Sequence, residues 1–320
     1  MVDAHDSKSC LARGEGSSPS SGTMSRPKVL TIVGPTASGK TSLAISLAQQ
    51  CNGEVISADS RQVYRGLNIG TAKATEEEMQ GIPHHLIDIV DVDTIYSAKD
   101  FLHDAAAAIT DITTRGKVPI IAGGTFFYLD ILRGKMQAAP VAPNLKLRAN
   151  LETKTTAELL RLLQQASAEH AARIDLKNRR RLIRSLEIHD ALGEIPPVIP
   201  ASSPYDMYII GIDKPREVLC ENYLARAKEW LTGGLREETQ QLLKHGVDRS
   251  RLQEIGFEYT LILQVLDGNI TEKEYLEQCV QKNWQYAKRQ LTWLRRDEDI
   301  HWYTPDQSAK IMIDAQTFLR

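Results

Sequence analysis

The chain is poor in cysteine, with Cys10, Cys51, Cys220 and Cys279 the only four in 320 residues. They are widely scattered, with no C-x-x-C spacing and no paired histidines to complete a zinc site. That excludes a disulfide framework and a structural zinc centre, and reduced thiols in a cytoplasmic protein are expected. Long apolar runs are missing too. None approaches the roughly 20 residues needed to span a bilayer, so neither a transmembrane helix nor a membrane partner is expected. An excess of charge of either sign is also lacking, since the formal net charge is −2. A nucleic-acid partner must then be held by a local basic face rather than by the field of the whole protein. There is no internal repeat, and biased composition is confined to residues 1–26. That Ser- and Gly-rich stretch carries Asp3, Asp6 and Glu15 and no apolar run, which fits neither a secretory signal nor an acid-poor transit peptide. A disordered leader, with a second candidate start at Met24, is the expectation.

What is present begins with Gly34-Pro35-Thr36-Ala37-Ser38-Gly39-Lys40-Thr41, which fills every position of the pattern G-x-x-x-x-G-K-[ST]. It lies between the apolar run Val29 to Val33 and the helical pattern Thr41 to Ala48. In such a loop successive backbone N–H groups and the positive end of a helix converge on one point, where an anion supplies their missing acceptor. Gly34 and Gly39 permit the turn and the close approach. Lys40 would reach the outer phosphates, and the Thr41 hydroxyl would ligate a magnesium ion shared with phosphate oxygens. A di- or triphosphate ligand is expected; the loop alone does not say which.

Strand candidates continue at Glu54 to Asp59, His85 to Val90, Val118 to Ala122 and Tyr208 to Ile212, with helical patterns such as Ala98 to Thr114 between them. The alternation predicts an α/β fold, a P-loop-type parallel sheet flanked by helices with ligands at the carboxyl ends of the strands. The core is expected over 27–137. A small helical insertion follows over 138–178, entered through Pro140 and Pro143 and containing the helical segment Glu158 to Ala166. The remainder of the core and a helical C-terminal region occupy 179–320.

Asp59 closes a strand and would project into the crevice, as a magnesium contact, as a base, or as a cap on the next turn. Gly123-Gly124-Thr125 ends another strand, where the glycines allow a close ligand and Thr125 can cap a helix or donate a hydrogen bond. Arg179-Arg180-Arg181-Leu182-Ile183-Arg184 starts a helix, and its arginines are either phosphate contacts or plain solvated surface. Lys288 to Arg296, preceded by Trp284 and Tyr286, interleaves cations with aromatics at helical spacing. Its apolar positions are read as core and its cations as lining a nucleic-acid path. Arg226 has no signal of its own and reads as a surface arginine.

Taken together, these segments resemble the tRNA dimethylallyltransferase (tRNA isopentenyltransferase) family. The resemblance runs from about Lys28 to Trp302, through GPTASGKTSLA, ISADSRQVYRGLNIGTAK, PHHLIDIVD, AGGTFFYLDILRG, RRLIRSLEI, REVLCENYLARAKEWLTGGLREE, IGF and KRQLTWLRR. It implies transfer of a dimethylallyl group to the exocyclic amine of the adenosine 3′ of the anticodon, in tRNAs reading codons that begin with U. The loop Gly34 to Thr41 would hold the diphosphate of dimethylallyl diphosphate, with magnesium on Thr41. The family's general base falls on Asp59, its catalytic threonine on Thr125 and its diphosphate-contacting arginine on Arg226. Its tRNA contacts fall on Asp59, Ser60, Arg61 and Gln62, on Arg180, Arg181, Leu182, Ile183 and Arg184, and on Gln253, Gly256 and Phe257. The insertion would grip the anticodon stem-loop, and the enzyme would work as a cytoplasmic monomer. Glu258 departs from the basic residue that many relatives carry, and a carboxylate there is expected to repel RNA phosphate, so that Glu258→Lys would tighten tRNA binding. The insertion is shorter than in longer members, which bears on the tRNA grip, and the lack of the C-terminal zinc finger found in eukaryotic relatives favours a bacterial-type enzyme. The alternative is a small-molecule kinase with ATP in the loop; a nucleotide-dependent RNA-binding switch is the non-enzymatic one.

Overall fold

Strands buried on both faces read as near-continuous apolar runs, and parallel pairing requires a crossover between each pair. The chain meets both conditions. The computed structural model describes residues 26–137, 141–176, 178–197 and 199–320. Residues 1–25 of the expected leader, Cys10 within them, and Pro140 lie outside that set.

The first half contains β1 (Lys28–Val33), α1 (Lys40–Cys51), β2 (Gly53–Ser57), α2 (Glu76–Met79), β3 (His84–His85), α3 (Ala98–Thr114), β4 (Val118–Ala122) and α4 (Phe126–Leu132). Four short helices follow: α5 (Leu145–Glu152), α6 (Thr156–Ala166), α7 (Ala168–Arg173) and α8 (Arg179–Leu192). The chain then returns to the sheet as β5 (Asp206–Ile212) and adds α9 (Arg216–Thr232), α10 (Leu235–Lys244), α11 (Arg249–Ile255), α12 (Phe257–Leu266) and α13 (Glu272–Leu294). It closes with β6 (Ile300–Tyr303) and α14 (Ser308–Leu319).

All strand pairs are parallel, in the order β3-β2-β4-β1-β5-β6. From β1 the chain crosses past β4 to reach β2, while from β4 it crosses past β1 to reach β5. The two central strands thus feed connections in opposite directions. The crevice where ligands bind an open parallel sheet therefore falls between the loops that follow β1 and β4. Alternation along β1 sends Val29 and Val33 to a core shared with α3 and α4, and Leu30 and Ile32 to one shared with α1 and α14. A third core packs Val63, Tyr64 and Leu67, just beyond Asp59, against Trp230, Leu235, Leu252, Tyr259 and Tyr275 of the C-terminal helices. The second loop of the site is thereby fastened to the helical region.

Three expectations need correction. The strand anticipated over His85 to Val90 shrinks to His84–His85, because Leu86 and Asp88 adopt left-handed φ of 62° and 55°. The chain leaves the sheet there, and the Asp88 and Ile89 amides donate instead to the carbonyls of Gln62 and Val63, at 3.1 and 2.9 Å. β6, four residues at the sheet edge, was not anticipated; so short a run carries no periodic signal. The helical insertion does not end at 178. Leu182 and Ile183 of α8 share one apolar core with Leu151, Leu159, Leu163 and Ala171, so α8 belongs to that unit.

A buried carboxylate locks α8 to the rest of the unit. Glu187 has no exposed side-chain surface and accepts from Arg148 Nε and Nη2 at 2.7 and 2.8 Å, from the Asn144 amide at 2.9 Å and from Arg184 Nη1 at 3.3 Å. Burial alone would raise its pKa, yet the hydrogen bonds from Arg148 and the Asn144 amide outweigh it and hold the carboxyl below its ordinary range. Glu187→Ala is expected to destabilise the helical unit by about 1.5–3 kcal/mol. Hydrogen exchange should show faster opening of α5 and α8 with the sheet amides unchanged; uniform protection throughout would contradict the assignment.

Candidate active site

The loop after β1 is shaped by its own backbone. Gly34 and Gly39 take φ of 152° and 96°, and a Cβ on Gly34 would sit 2.9 Å from the Ile212 carbonyl oxygen. Even Ala37 is left-handed, at 58°, and its carbonyl is held by Asn222 Nδ2 of α9 at 3.0 Å. α1 opens at Gly39 without a side-chain cap and without an acidic residue in its first turn, so its leading amides point into the crevice without a protein anion. The Ser38 hydroxyl is buried in the same loop and has no hydrogen-bond partner. Lys40 Nζ donates to the Pro35 carbonyl at 2.7 Å, and Arg226 Nη1 reaches the Thr36 hydroxyl at 3.5 Å. Burial, and then the neighbouring Arg226 charge, pull the Lys40 pKa down to about 7, with Asp59 opposing. This donor set matches a phosphate group.

The crevice has a volume of about 580 Å³, and Thr36, Lys40, Thr41, Asp59, Gly124 and Arg226 are among the residues lining it. That is room for a diphosphate with a short chain. Asp59 does two things at once. Its Oδ1 accepts from the amides of Arg61 and Gln62, at 2.9 and 3.4 Å, which is the turn cap, while the residue still faces the crevice. Gln62 spends its side chain on structure, accepting from Ser57 Oγ at 2.9 Å and donating to the Ala72 carbonyl at 3.2 Å. Thr125 does not line the crevice: its hydroxyl accepts from the Ser60 amide at 3.1 Å and braces the turn that carries Asp59. Nor do the glycines before it simply clear space for a ligand. A Cβ on Gly123 would lie 2.2 Å from the Ala58 carbonyl oxygen, and one on Gly124 would lie 2.7 Å from Gln290 Nε2.

A divalent cation that draws most of its ligands from phosphate and water needs few from the protein. Thr41, exposed on the crevice, and Asp59 suit that requirement, while no group of three or more His, Cys, Asp or Glu able to hold a metal by itself occurs among the described residues.

The basic segments, far apart in sequence, come together. The Arg181 guanidinium lies 5.9 Å from the ring centre of Trp293, whose Nε1 donates to Asp130 at 2.9 Å. Arg180, Arg181, Lys288 and Arg289 are exposed. Leu182 and Ile183 are not; they belong to the core of the helical unit, so a side-chain contact with RNA cannot come from them. Arg184 is committed to the Val141 carbonyl, at 2.6 Å, as well as to Glu187. Gln253 is exposed, whereas Gly256 and Phe257 are half-buried. Glu258 corrects another expectation. It is 2% exposed and paired with Arg61 Nη1 at 2.7 Å on the crevice wall, so its charge is met by Arg61 rather than set bare against an RNA phosphate. Glu258→Lys would place two cations against each other, and the expected tightening of RNA binding is withdrawn.

Gln290 is the residue that sequence reasoning missed. It is 3% exposed, and its Oε1 accepts from the Thr36 amide at 3.0 Å while Nε2 donates to the Gly124 carbonyl at 3.1 Å. The available signal was a carboxamide on the buried stripe of α13, which runs through Cys279, Asn283, Ala287 and Leu294.

The lowered Lys40 pKa gives a pH test. Below pH about 7 the ammonium is already charged; above it, binding a phosphate anion must take up a proton, so affinity falls as pH rises. Calorimetric titration with inorganic pyrophosphate in buffers of different ionisation enthalpy should show proton uptake near pH 8. The uptake should vanish in Lys40→Arg, whose guanidinium does not titrate there. Equal uptake in both proteins would contradict the assignment.

The IPP transferase family model matches residues 62–297. The tRNA dimethylallyltransferase of Staphylococcus aureus (strain bovine RF122 / ET3-1) is 39% identical over 308 residues, covering 91% of this chain and 97% of that protein. The tRNA dimethylallyltransferase of Leuconostoc citreum is 40% identical over 298 residues, covering 91% and 99%. Among solved structures, the full-length tRNA isopentenylpyrophosphate transferase of Bacillus halodurans superposes with a TM-score of 0.69 at 35% identity, over 92% of this chain and 97% of that one. A eukaryotic dimethylallyltransferase captured acting on tRNA gives 0.73 at 28% identity, over 87% and 74%. A model match across most of the chain, with relatives at this identity over nearly their whole length, has one meaning: the chain belongs to the IPP transferase family.

Proposed function

We propose that the protein transfers the dimethylallyl group of dimethylallyl diphosphate to the exocyclic amine of the adenosine 3′ of the anticodon, in tRNAs reading codons that begin with U, giving isopentenyladenosine. The observation that carries this reading is the convergence, in one crevice, of an anion cradle and a carboxylate held by a separate loop. The family match favours prenyl transfer over the kinase alternative, and the neighbour acting on tRNA favours an RNA acceptor.

An adenine amine is a weak nucleophile because its lone pair is shared with the ring, and in a stacked loop it is out of reach. The base must be extruded into the crevice, at a cost of a few kcal/mol offset by RNA contacts. Tyr286, lining the crevice, offers an aromatic face for it. Lys40, Arg226 and the uncapped amides at the start of α1 stabilise the charge that grows on the departing diphosphate, and Asp59 accepts the amine proton. Thr125 contributes by fixing Ser60 beside Asp59. Magnesium, held through Thr41 and phosphate oxygens, would add positive charge at the leaving group. Arg180 and Arg181 of the helical unit and Lys288 and Arg289 of α13 are exposed, and the Arg181–Trp293 contact brings the two helices together, which supports a path for the anticodon stem-loop along them. The reading includes a monomeric enzyme in the cytoplasm. No helix among the described residues is long and apolar enough to cross a membrane.

The test is incubation with labelled dimethylallyl diphosphate, magnesium and unmodified tRNA, followed by digestion of the RNA and identification of the nucleoside. Label in isopentenyladenosine is expected. Asp59→Asn, which keeps an Oδ1 acceptor for the Arg61 and Gln62 amides and removes the base, should lower turnover by about 100-fold or more while tRNA affinity stays within about 3-fold. Unlabelled tRNA with consumption of ATP on a small molecule would return the kinase reading, and parallel loss of rate and RNA affinity would make Asp59 structural.

A further inference from the structure

The crevice has two working ends carried by separate loops. The phosphate cradle follows β1, and Asp59 follows β2, where its turn is braced by the loop after β4 through Thr125 and Ser60. Neither Asp59 nor Thr125 has a hydrogen bond to the cradle among the described residues. The Gly123 amide ties the loop after β4 to the Ile32 carbonyl of β1, at 3.3 Å, and among the described residues the side chain that reaches on into the cradle is Gln290. Gln290 Oε1 accepts from the Thr36 amide of the cradle at 3.0 Å, and Nε2 donates to the carbonyl of Gly124 at 3.1 Å. A carboxamide suits this task because it supplies an acceptor and a donor on one rigid plane, so each end of the bridge specifies the other. Gln290 is 3% exposed, so water competes little for its hydrogen bonds, and it stands in the crevice wall together with Thr36 and Gly124. It is also tightly fitted, since a methyl on Gly124 would lie 2.7 Å from Nε2. The third element it engages is α13, which carries Tyr286 one turn earlier and the exposed cations Lys288 and Arg289.

We infer that Gln290 is a positioning residue for the transfer: its carboxamide sets the spacing between the leaving-group cradle and the loop pair that holds Asp59. The inference rests on the prenyl-transfer reading. In that reaction the allylic carbon must lie in line between a fixed diphosphate and an amine whose proton Asp59 accepts. A shift of about 1 Å between the two ends costs on the order of 100-fold in rate without weakening the grip on either substrate.

Gln290→Met keeps the volume and removes both hydrogen bonds, and Gln290→Ala removes the side chain. Both should lower kcat by about 10- to 100-fold, with Kd for inorganic pyrophosphate and for tRNA within about 3-fold of the parent protein. An unchanged kcat in Gln290→Met overturns the inference. So does a parallel loss of kcat and pyrophosphate affinity, which would make Gln290 a support of the cradle alone. The parent protein separates the two readings. If it prenylates tRNA and the Met variant matches it, only the role of Gln290 falls; if it binds pyrophosphate and leaves tRNA unmodified, both fall.

Discussion

The structure depends on a set of backbone amides at the start of α1 that the fold leaves without acceptors. An α-helix always strands its first donors, and most helices resolve this with a side-chain cap. Here α2, α3, α6 and α13 all do so with a Thr or Ser and an acidic partner three residues later. α1 does not, because its N-cap is Gly39 in a left-handed conformation. α10 also opens on a left-handed glycine, Gly234, without a side-chain cap, but it carries Glu237 and Glu238 in its first turn; α1 has no acidic residue there and opens onto the crevice, where a ligand can supply the acceptor. Its place at the switch of the sheet, between the loops after β1 and β4, puts that ligand where three elements can be brought against it.

Around this electropositive point the protein disposes of charge selectively. Among the described residues no carboxylate is in contact with Arg226 or Lys40 in the crevice, and burial moves the pKa of both down. Bringing two cations together costs stability in the free protein, and an anion relieves it on binding. Glu258 and Arg61, also on the crevice wall, are paired with each other, and away from the crevice Glu187 is paired with Arg148 and Arg184. Glu54 is surrounded by His85, Arg115 and Lys117 at the opposite end of β2, and the hydrogen bonds from Arg115 above all hold its carboxyl well below the usual range. Lys40 and Arg226 differ from these groups in having their charge unmet where an anion would bind.

Much of this was legible in the sequence, for physical reasons that differ by element. The phosphate-loop pattern is local: it spans eight residues, and Gly34 and Gly39 take the positive φ that the spacing predicts just before α1. The strands with continuous apolar character were readable, while β3 failed because left-handed residues at Leu86 and Asp88 are set by long-range bonds to the 62–63 loop. Roles defined by contacts across the chain were hidden. Gln290 lies 254 residues from Thr36, Glu258 lies 197 from Arg61, and neither pairing leaves a mark in spacing. Leu182 and Ile183 illustrate the converse. Their neighbours in a basic run suggested RNA, but an apolar pair on a helix is more readily claimed by the core.

The central claim, that the cradle amides hold a prenyl diphosphate and release pyrophosphate, is tested most directly by equilibrium competition with magnesium present. The account predicts that inorganic pyrophosphate displaces labelled dimethylallyl diphosphate from a single site, one for one, and that ATP displaces it far less well. Prenyl donor that stays bound under saturating pyrophosphate would contradict it.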